Sequence, residues 1–94
     1  VGIMPVSSDD AAIAAMNDSQ YGLSASVWTT THSQDIQQLT RHIQTGTVMI
    51  NRCDYLDPAL SWTGVKETGK GCSLSEIAYE KLTSPKSFHL RKEQ

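Results

Sequence analysis

The sequence predicts an α/β fold in which short strands alternate with helices in the order β-α-β-α-β, followed by a loop, a helix and a final strand. Three observations support this order. Short apolar or β-branched runs are separated by stretches of helical periodicity, capping residues stand where the helices are expected to begin, and Gly or Pro stands where they are expected to end. Helices that alternate with short strands favour a parallel sheet with right-handed crossovers.

The first strand and the first helix are predicted from the start of the chain. Residues 1–6 are apolar and include Pro5, which suits the end of a buried strand. Residues 7–10, Ser-Ser-Asp-Asp, offer N-cap oxygens and carboxylates that complement the helix dipole. A helix is therefore expected to continue over residues 11–16.

The second helix is predicted after a turn at residues 21–22 and a strand over residues 23–28. Thr31 and Gln34 have the spacing of a capping box. Three apolar side chains then recur at i, i+3 and i+7, so that one stripe faces a core. They are Ile36, Leu39 and Ile43. Gly46 is expected to end this helix, directly before a buried strand at Thr47–Ile50.

The last helix and the last strand follow a long loop over residues 51–71. Ser73 and Glu76 again have capping-box spacing. The helix that they predict would turn four apolar side chains inward, those of Leu74, Ile77, Ala78 and Leu82. Pro85 follows this helix, and residues 87–91 then alternate between polar and apolar side chains, as in a half-buried strand.

Composition excludes several classes of protein. The 94 residues make at most one small domain, and a net charge of -2 gives no indication of binding to nucleic acid or to a membrane surface. No apolar run approaches the ~20 residues of a membrane span. Cys53 and Cys72 form neither a CxxC pair nor a disulfide framework, so we expect reduced thiols and a cytoplasmic location. Because the sequence starts at Val1 and in mid-strand, we expect a segment of a larger protein.

The loop over residues 51–71 carries the strongest indication of function. Long loops inside compact domains are usually functional or disordered. This loop leaves the carboxyl end of a strand, where α/β proteins keep their ligands. Disorder is disfavoured because five of its side chains are costly to leave in water. They are Tyr55, Leu56, Leu60, Trp62 and Val65. We therefore expect an ordered loop that forms the wall of a site.

The glycines at the end of this loop allow a second interpretation. Residues 64–71, Gly-Val-Lys-Glu-Thr-Gly-Lys-Gly, approach the spacing of a phosphate-binding loop. Gly71 stands where that loop needs a hydroxyl for Mg²⁺, and residues 60–63 are too short and irregular for the strand that should precede it. Tight turns before a capped helix are the favoured interpretation.

Catalytic and metal sites are not indicated by the residues alone. Cys53, beside Asp54, could act as a nucleophile if a histidine folded close to it. The spacing of the histidines does not imply such proximity and contains no pair typical of metal ligands. These histidines are His32, His42 and His89. An inert thiol is the expected state of both cysteines.

Three segments, in the correct order, resemble the aldehyde dehydrogenase superfamily. Residues 12–29 are similar to its helix-to-strand segment, and residues 44–51 to the strand that follows. Residues 61–69, Ser-Trp-Thr-Gly-Val-Lys-Glu-Thr-Gly, are similar to its Pro-Phe-Gly-Gly-x-Lys-x-Ser-Gly loop. The resemblance implies that residues 1–84 are the C-terminal portion of a Rossmann-like, parallel catalytic domain. It implies that residues 85–94 are a C-terminal oligomerisation strand.

The resemblance also implies a function for the larger parent protein, which would oxidise an aldehyde to a carboxylic acid with NAD or NADP. The family's catalytic cysteine, general base and nucleotide-binding domain lie upstream of this stretch. The chain alone is therefore expected to be inactive and to bind neither cofactor nor metal. By their position in the loop, Cys53, Asp54, Leu56 and Trp62 would line the substrate tunnel. The parent is expected to be a homo-oligomer, a dimer or a tetramer.

Two points remain open at this stage. The chain could instead be a stand-alone, non-catalytic interaction module derived from such an enzyme. Asn51, Gly64 and Lys66 match recurrent structural positions of the family, but Thr63 replaces a glycine of its loop. A β-branched residue does not easily adopt positive φ, so Thr63 predicts a less permissive turn. Trp62 is expected to narrow or reshape the tunnel.

Overall fold

The computed structural model describes residues 1–31 and 33–93. The elements in chain order are helix α1 (Asp9–Asn17), strands β1 (Tyr21–Gly22) and β2 (Ser24–Val27), helix α2 (Ser33–Thr40), strands β3 (Thr47–Ile50), β4 (Trp62–Thr63), β5 (Val65–Lys66) and β6 (Cys72–Ser73), and helix α3 (Ile77–Leu82). The fold is thus mixed α/β. Within the described ranges the strands form three pairs, parallel β2–β3 and antiparallel β1–β5 and β4–β6.

The β2-α2-β3 unit contains the core. Strands β2 and β3 run parallel from Ser24 opposite Thr47 to Val27 opposite Ile50, as a crossover through a helix requires. The buried apolar side chains are Ile36, Ile43 and Met49, at 4%, 7% and 7% exposure. The predicted β3 strand is confirmed. The predicted apolar stripe is confirmed in part, since Ile36 is buried and Leu39 half-buried in α2, whereas Ile43 is buried beyond the end of that helix. The wider Rossmann-like parallel sheet is not found in residues 1–31 and 33–93, where this pair is the parallel one.

Helix α1 begins where the sequence predicts. Ser8 is the N-cap, and its Oγ accepts a hydrogen bond from the Ala11 N–H at 3.1 Å. Asp9 and Asp10 occupy the first turn, where their charges complement the helix dipole.

Helix α2 ends earlier than predicted, at Thr40 rather than at Gly46. After Thr40 the chain tightens into i→i+3 hydrogen bonds, such as Ile43 N–H to the Thr40 carbonyl at 3.0 Å. The Gln44 N–H is then bound by a side chain of α1, which draws the backbone away from the helical path. The predicted capping box at the start of α2 includes His32, which lies outside the described residues.

Residues 21–22 form a strand and not the predicted turn. Tyr21 pairs with Lys66 and Gly22 with Val65. Gly22 is buried, and a Cβ built there would lie 2.2 Å from the Gln44 carbonyl oxygen. A glycine is therefore needed here because two chain segments lie close together. The sequence alone does not distinguish this use of glycine from its use in a turn.

The predicted strands at both ends of the chain do not pair within the described residues, and the pairing of residues 87–91 with another subunit stays a prediction. Residues 1–6 and 87–91 have no strand pairing, and no described strand lies beside them. Ile3 is 94% exposed, and Phe88 and Leu90 are 80% and 87% exposed. Both ends extend from the body, so that the chain measures 78 × 29 × 20 Å. The boundary between residues 84 and 85 stays a prediction.

The prediction for the last helix is wrong in its cap and in its buried face. Ser73 belongs to β6, and Glu76 is the N-cap without a side-chain hydrogen bond. The Ser75 Oγ instead accepts from the Ile77 N–H at 3.3 Å. Leu82 is 85% exposed and Ile77 43% exposed, whereas Leu74 and Ala78 are half-buried, so the predicted inward face is covered only in part. In the described parts of the chain, no helix has both the length and the apolar character needed to cross a membrane.

Candidate functional site

Lys66 fastens the segment over residues 61–69 to the end of α1. Its Nζ donates hydrogen bonds to the carbonyls of Asn17 and Ser19, at 2.8 and 2.9 Å. Carbonyls at the end of a helix lack intrahelical partners and carry partial negative charge, so an ammonium group suits them. The backbone makes a further contact with the same part of the chain, since the Glu67 N–H donates to the Gln20 carbonyl at 2.9 Å.

Asn17 joins α1 to the connection between α2 and β3. Its Nδ2 donates to the His42 carbonyl at 2.8 Å, and its Oδ1 accepts from the Gln44 N–H at 2.8 Å. One amide side chain therefore satisfies a backbone acceptor and a backbone donor of the same connection. Because Lys66 binds the Asn17 carbonyl as well, three parts of the chain meet at this residue.

Two glycines let the 61–69 segment lie directly on the first strands. A Cβ at Gly46 would stand 1.6 Å from the Thr63 carbonyl oxygen. The Gly22 N–H donates to the Thr68 Oγ1 at 2.6 Å. We call the five residues Asn17, Gly22, Gly46, Lys66 and Thr68 the clasp. Trp62 stands four residues before Lys66 on the same segment.

Asn51 sets the direction in which the loop leaves β3. It has a φ of 55°, in the left-handed region that Asn tolerates better than most residues. Its Oδ1 accepts from the Thr29 N–H at 2.7 Å, and its own N–H donates to the Val27 carbonyl at 2.8 Å. Both bonds tie the end of β3 to the end of β2.

A pocket of about 160 Å³ lies between β3 and the following loop. The four residues of β3 form one side of it. The loop and the start of β4 supply the remaining lining residues, which are Arg52, Tyr55, Asp57, Leu60, Ser61 and Trp62. The walls are mainly apolar, and two of the lining side chains are charged. Such a pocket suits the apolar part of a small molecule with a few polar contacts.

The four predicted site residues divide between the inside and the outside of this pocket. Trp62 lines it and is half-buried. Cys53, Asp54 and Leu56 are exposed and are not among its lining residues. The structure brings Trp62 together with β3 but does not bring the other three to the same cavity. Their role in a substrate tunnel stays a prediction.

Sequence reasoning missed Arg52, Tyr55 and Asp57, which do line the pocket. Residues 53–57 carry no helix or strand, and in an extended chain successive side chains point to opposite sides. Tyr55 and Asp57 share one side, whereas the predicted residues at 54 and 56 share the other. The alternation from the aromatic Tyr55 could have identified Asp57, whereas Arg52 and Cys53 do not follow it.

The turn at residues 57–60 closes one end of the pocket. Asp57 and Pro58 stand in the order that type I turns favour at their first two positions. The Leu60 N–H donates to the Asp57 carbonyl at 3.0 Å, and the Asp57 Oδ1 accepts from the Ala59 N–H at 2.9 Å. One carboxylate oxygen of Asp57 is thus engaged in holding the turn.

The thiols and histidines of the described chain do not assemble into a catalytic or metal centre. Cys53 is exposed, and both cysteines are free. The Cys72 Sγ contacts the Ser73 carbonyl at 3.7 Å. No group of three metal-ligating side chains occurs in residues 1–31 and 33–93. His32, the third histidine considered as a partner, lies outside the described residues.

The alternative of a phosphate-binding loop is not supported by the geometry. Residues 64–71 lead into strand β6, whereas such a loop must lead into a helix. Gly69 and Gly71 have φ values of 137° and 101°, which fits their use in tight turns. The expected strain at Thr63 is also absent, since Thr63 lies in β4 and its Oγ1 donates to the Gly71 carbonyl at 2.7 Å.

Comparison with known proteins places these features in a family context. The model of the aldehyde dehydrogenase family matches residues 1–88. The chain is 36% identical over 81 residues to the NADP/NAD-dependent aldehyde dehydrogenase PuuC of Escherichia coli (strain K12), a match that covers 86% of this chain and 16% of the relative. It is 34% identical over 91 residues to geranial dehydrogenase of Castellaniella defragrans, which covers 96% of this chain and 18% of the relative.

Solved structures give the same result. The NAD⁺ complex of an aldehyde dehydrogenase from Bacillus cereus superposes with a TM-score of 0.79 at 32% identity, covering 86% of this chain and 16% of that one. The chain thus spans about a sixth of the length of the curated relatives that it matches.

Proposed function

The chain belongs to the aldehyde dehydrogenase family, and on that premise we propose that it is the C-terminal segment of an enzyme that oxidises an aldehyde to a carboxylic acid with NAD or NADP. The match over residues 1–88 is the observation that carries this proposal. The segment would line the substrate tunnel and contribute to subunit assembly. The parent's nucleophile and general base would come from the remainder of the enzyme.

The described residues do not fit a dinucleotide cofactor. The glycines of residues 64–71 lead into β6, so they present no helix N-terminus to a pyrophosphate. We therefore derive no step through NAD(P) for this segment and place its binding in the remainder of the parent. The 94-residue chain alone is expected to produce no NAD(P)H with aldehydes.

The contribution of this segment is the pocket beside β3. Its apolar walls would hold the tail of the aldehyde, and Trp62 would set the width available to that tail. A large aromatic side chain in a mostly apolar pocket discriminates by shape, at about 1–3 kcal/mol for modest changes in fit. The predicted tunnel residues Cys53, Asp54 and Leu56 would act from outside this pocket, on the surface that faces the rest of the parent.

Trp62→Ala in the full-length protein tests this proposal. We expect the ratio of kcat/KM between bulky and short aldehydes to change by roughly tenfold or more. The matched control is Trp28→Ala, because Trp28 is 68% exposed and lies outside the pocket. NAD(P)H formation is the readout. A uniform change across all aldehydes would show an effect on stability, and the tunnel assignment would then fail.

Assembly is the second role that we propose for the chain. Phe88 and Leu90 are exposed on a segment that pairs with no strand in the described part of the chain. An unpaired segment of this kind can add to the sheet edge of another copy. The parent would then be a homodimer or homotetramer. The cytoplasmic location likewise stays a prediction, supported by two free thiols.

A further inference from the structure

Arg52 places a positive charge in a pocket whose walls are otherwise mainly apolar. Its guanidinium lies over the Tyr55 ring, 4.5 Å from the ring centroid, and both residues line the 160 Å³ pocket. Among residues 1–31 and 33–93, no carboxylate forms an ion pair with Arg52 and no hydrogen bond engages its guanidinium. The N–H groups of Arg52 are therefore available to a ligand.

Tyr55 orients these donors. A guanidinium stacked on an aromatic ring has one face covered, while the N–H groups at its edge stay accessible. That edge matches the two oxygens of a carboxylate, with which Arg forms paired, charge-assisted hydrogen bonds. The stacking also restricts the side chain before any ligand binds, which lowers the entropy lost on binding.

The size of the pocket limits what can connect this carboxylate to a reacting group. A cavity of about 160 Å³ is close to the ~150 Å³ cavity that admits benzene in another protein. A chain of roughly four to six carbons therefore fits. The β3 side of the pocket offers such a chain apolar contacts from Val48, Met49 and Ile50.

We infer that Arg52 selects aldehydes that carry a carboxylate at the far end of a short carbon chain. This inference rests on the function proposed above. The apolar walls contact the carbon chain, Arg52 binds the carboxylate, and Tyr55 is the positioning residue for the guanidinium. Asp57 lies in the same pocket and repels such a ligand, although one of its oxygens is held by the Ala59 N–H. Removing the charge of Asp57 therefore favours binding of the carboxylate, whereas removing the charge of Arg52 disfavours it.

The test compares succinic semialdehyde with butanal, which has the same number of carbons and no carboxylate. In the full-length protein, Arg52→Gln lowers the kcat/KM ratio of the acid to the neutral aldehyde at least tenfold, whereas Asp57→Asn raises it. Arg52→Lys keeps the charge without the planar edge and lowers the ratio less. The matched control is Arg41→Gln, since Arg41 is exposed and lies outside the pocket.

Ionic strength gives a second readout that a purely structural role of Arg52 would not produce. Added salt lowers the ratio in the unsubstituted protein, where Arg52 attracts the carboxylate, and does not lower it in Arg52→Gln, where Asp57 is the charge that remains in the pocket. An unchanged ratio in Arg52→Gln and Arg52→Lys, or an equal loss for both aldehydes, overturns the role of Arg52 while oxidation of aldehydes continues. A full-length protein that oxidises no aldehyde overturns the proposed function itself, and the inference with it.

Discussion

Gly46→Ala is expected to loosen the clasp through steric contact alone. The added Cβ would lie 1.6 Å from the Thr63 carbonyl oxygen, which is 1.8 Å less than the 3.4 Å at which ordinary contact begins. It would also lie 2.5 Å from the Thr63 carbonyl carbon. The three nearest atoms all belong to the backbone of Thr63 and Gly64, so no flexible side-chain end is there to move aside. One of the two chain segments must shift.

The free-energy cost follows from the hydrogen bonds that this shift would disrupt. The Gly46 N–H donates to the carbonyls of Gly22 and Leu23, at 3.2 and 3.1 Å, and the Thr63 Oγ1 donates to Gly71 at 2.7 Å. Overpacking and the loss of two or three such bonds together cost about 2–4 kcal/mol of local stability. Gly46 is not among the residues with positive φ, so backbone strain adds nothing to this cost.

Amide hydrogen exchange of the full-length protein measures this local stability. Peptides that cover residues 44–50 and 61–68 should exchange roughly 30 to 700 times faster in Gly46→Ala, as 1.4 kcal/mol corresponds to a factor of ten. The control is Gly2→Ala, because a Cβ at Gly2 meets nothing within 4 Å. Exchange in Gly46→Ala that matches the control would refute the close approach between Gly46 and Thr63.

Three further predictions concern the clasp, a thiol and the tail. Lys66→Met removes both hydrogen bonds from the Lys66 Nζ to backbone carbonyls. It should lower the free energy of unfolding, measured by urea denaturation, by about 1–2 kcal/mol. The control Lys70→Met, at an exposed position in the same loop, should change that free energy by less than about 0.5 kcal/mol. Cys53→Ser in the parent should leave most turnover intact, and a loss of ~10³-fold or more would identify Cys53 as the nucleophile after all. Deletion of residues 87–94 should shift the parent to smaller species in sedimentation, and an unchanged oligomer would show that the tail is dispensable for assembly.

The elements that the sequence predicted correctly depend on neighbours in the chain. Ser8 caps α1 through a residue three positions later, and Thr47–Ile50 forms its strand from its own β-branched character. The β2–β3 pairing follows because the helix between the two strands leaves a parallel arrangement as the natural choice. Signals of this kind are contained in the sequence itself.

The incorrect predictions concern residues whose structure depends on distant partners. Residues 1–6 have the composition of a buried strand, yet no described strand lies beside them. Ser73 has the spacing of a helix cap but pairs with Trp62 in the β4–β6 ladder. Gly22 has the character of a turn residue but allows a contact with Gln44. At Ser73 and Gly22 a tertiary interaction prevailed over the local signal, whereas residues 1–6 lack the neighbouring strand that their prediction required.

The pocket beside β3 corresponds to the predicted site in its loop and in Trp62 but not in its other lining residues, and its role as a substrate site stays a prediction. The long loop after β3 does form the wall of a pocket, and Trp62 does line it. Arg52 and Tyr55 were not selected, because their contact becomes apparent only when the chain between them is placed in three dimensions. The family resemblance identified the loop by the motif at residues 61–69. That motif contains Trp62, Lys66 and Thr68 but not Arg52 or Tyr55, which precede it in the chain.

The junction at Asn17 has a consequence for how this protein can evolve or be engineered. Asn17 does not line the pocket beside β3. Its side chain binds the α2–β3 connection, and its carbonyl accepts a hydrogen bond from the Lys66 Nζ. Lys66 stands four residues from Trp62 on the same short segment. We therefore expect a substitution at the end of α1 to shift the segment that carries Trp62, and with it the width of the pocket, without changing any lining residue. Libraries that search for new substrate preferences gain a second set of positions, remote from the cavity, where variation changes the position of the walls instead of their chemistry.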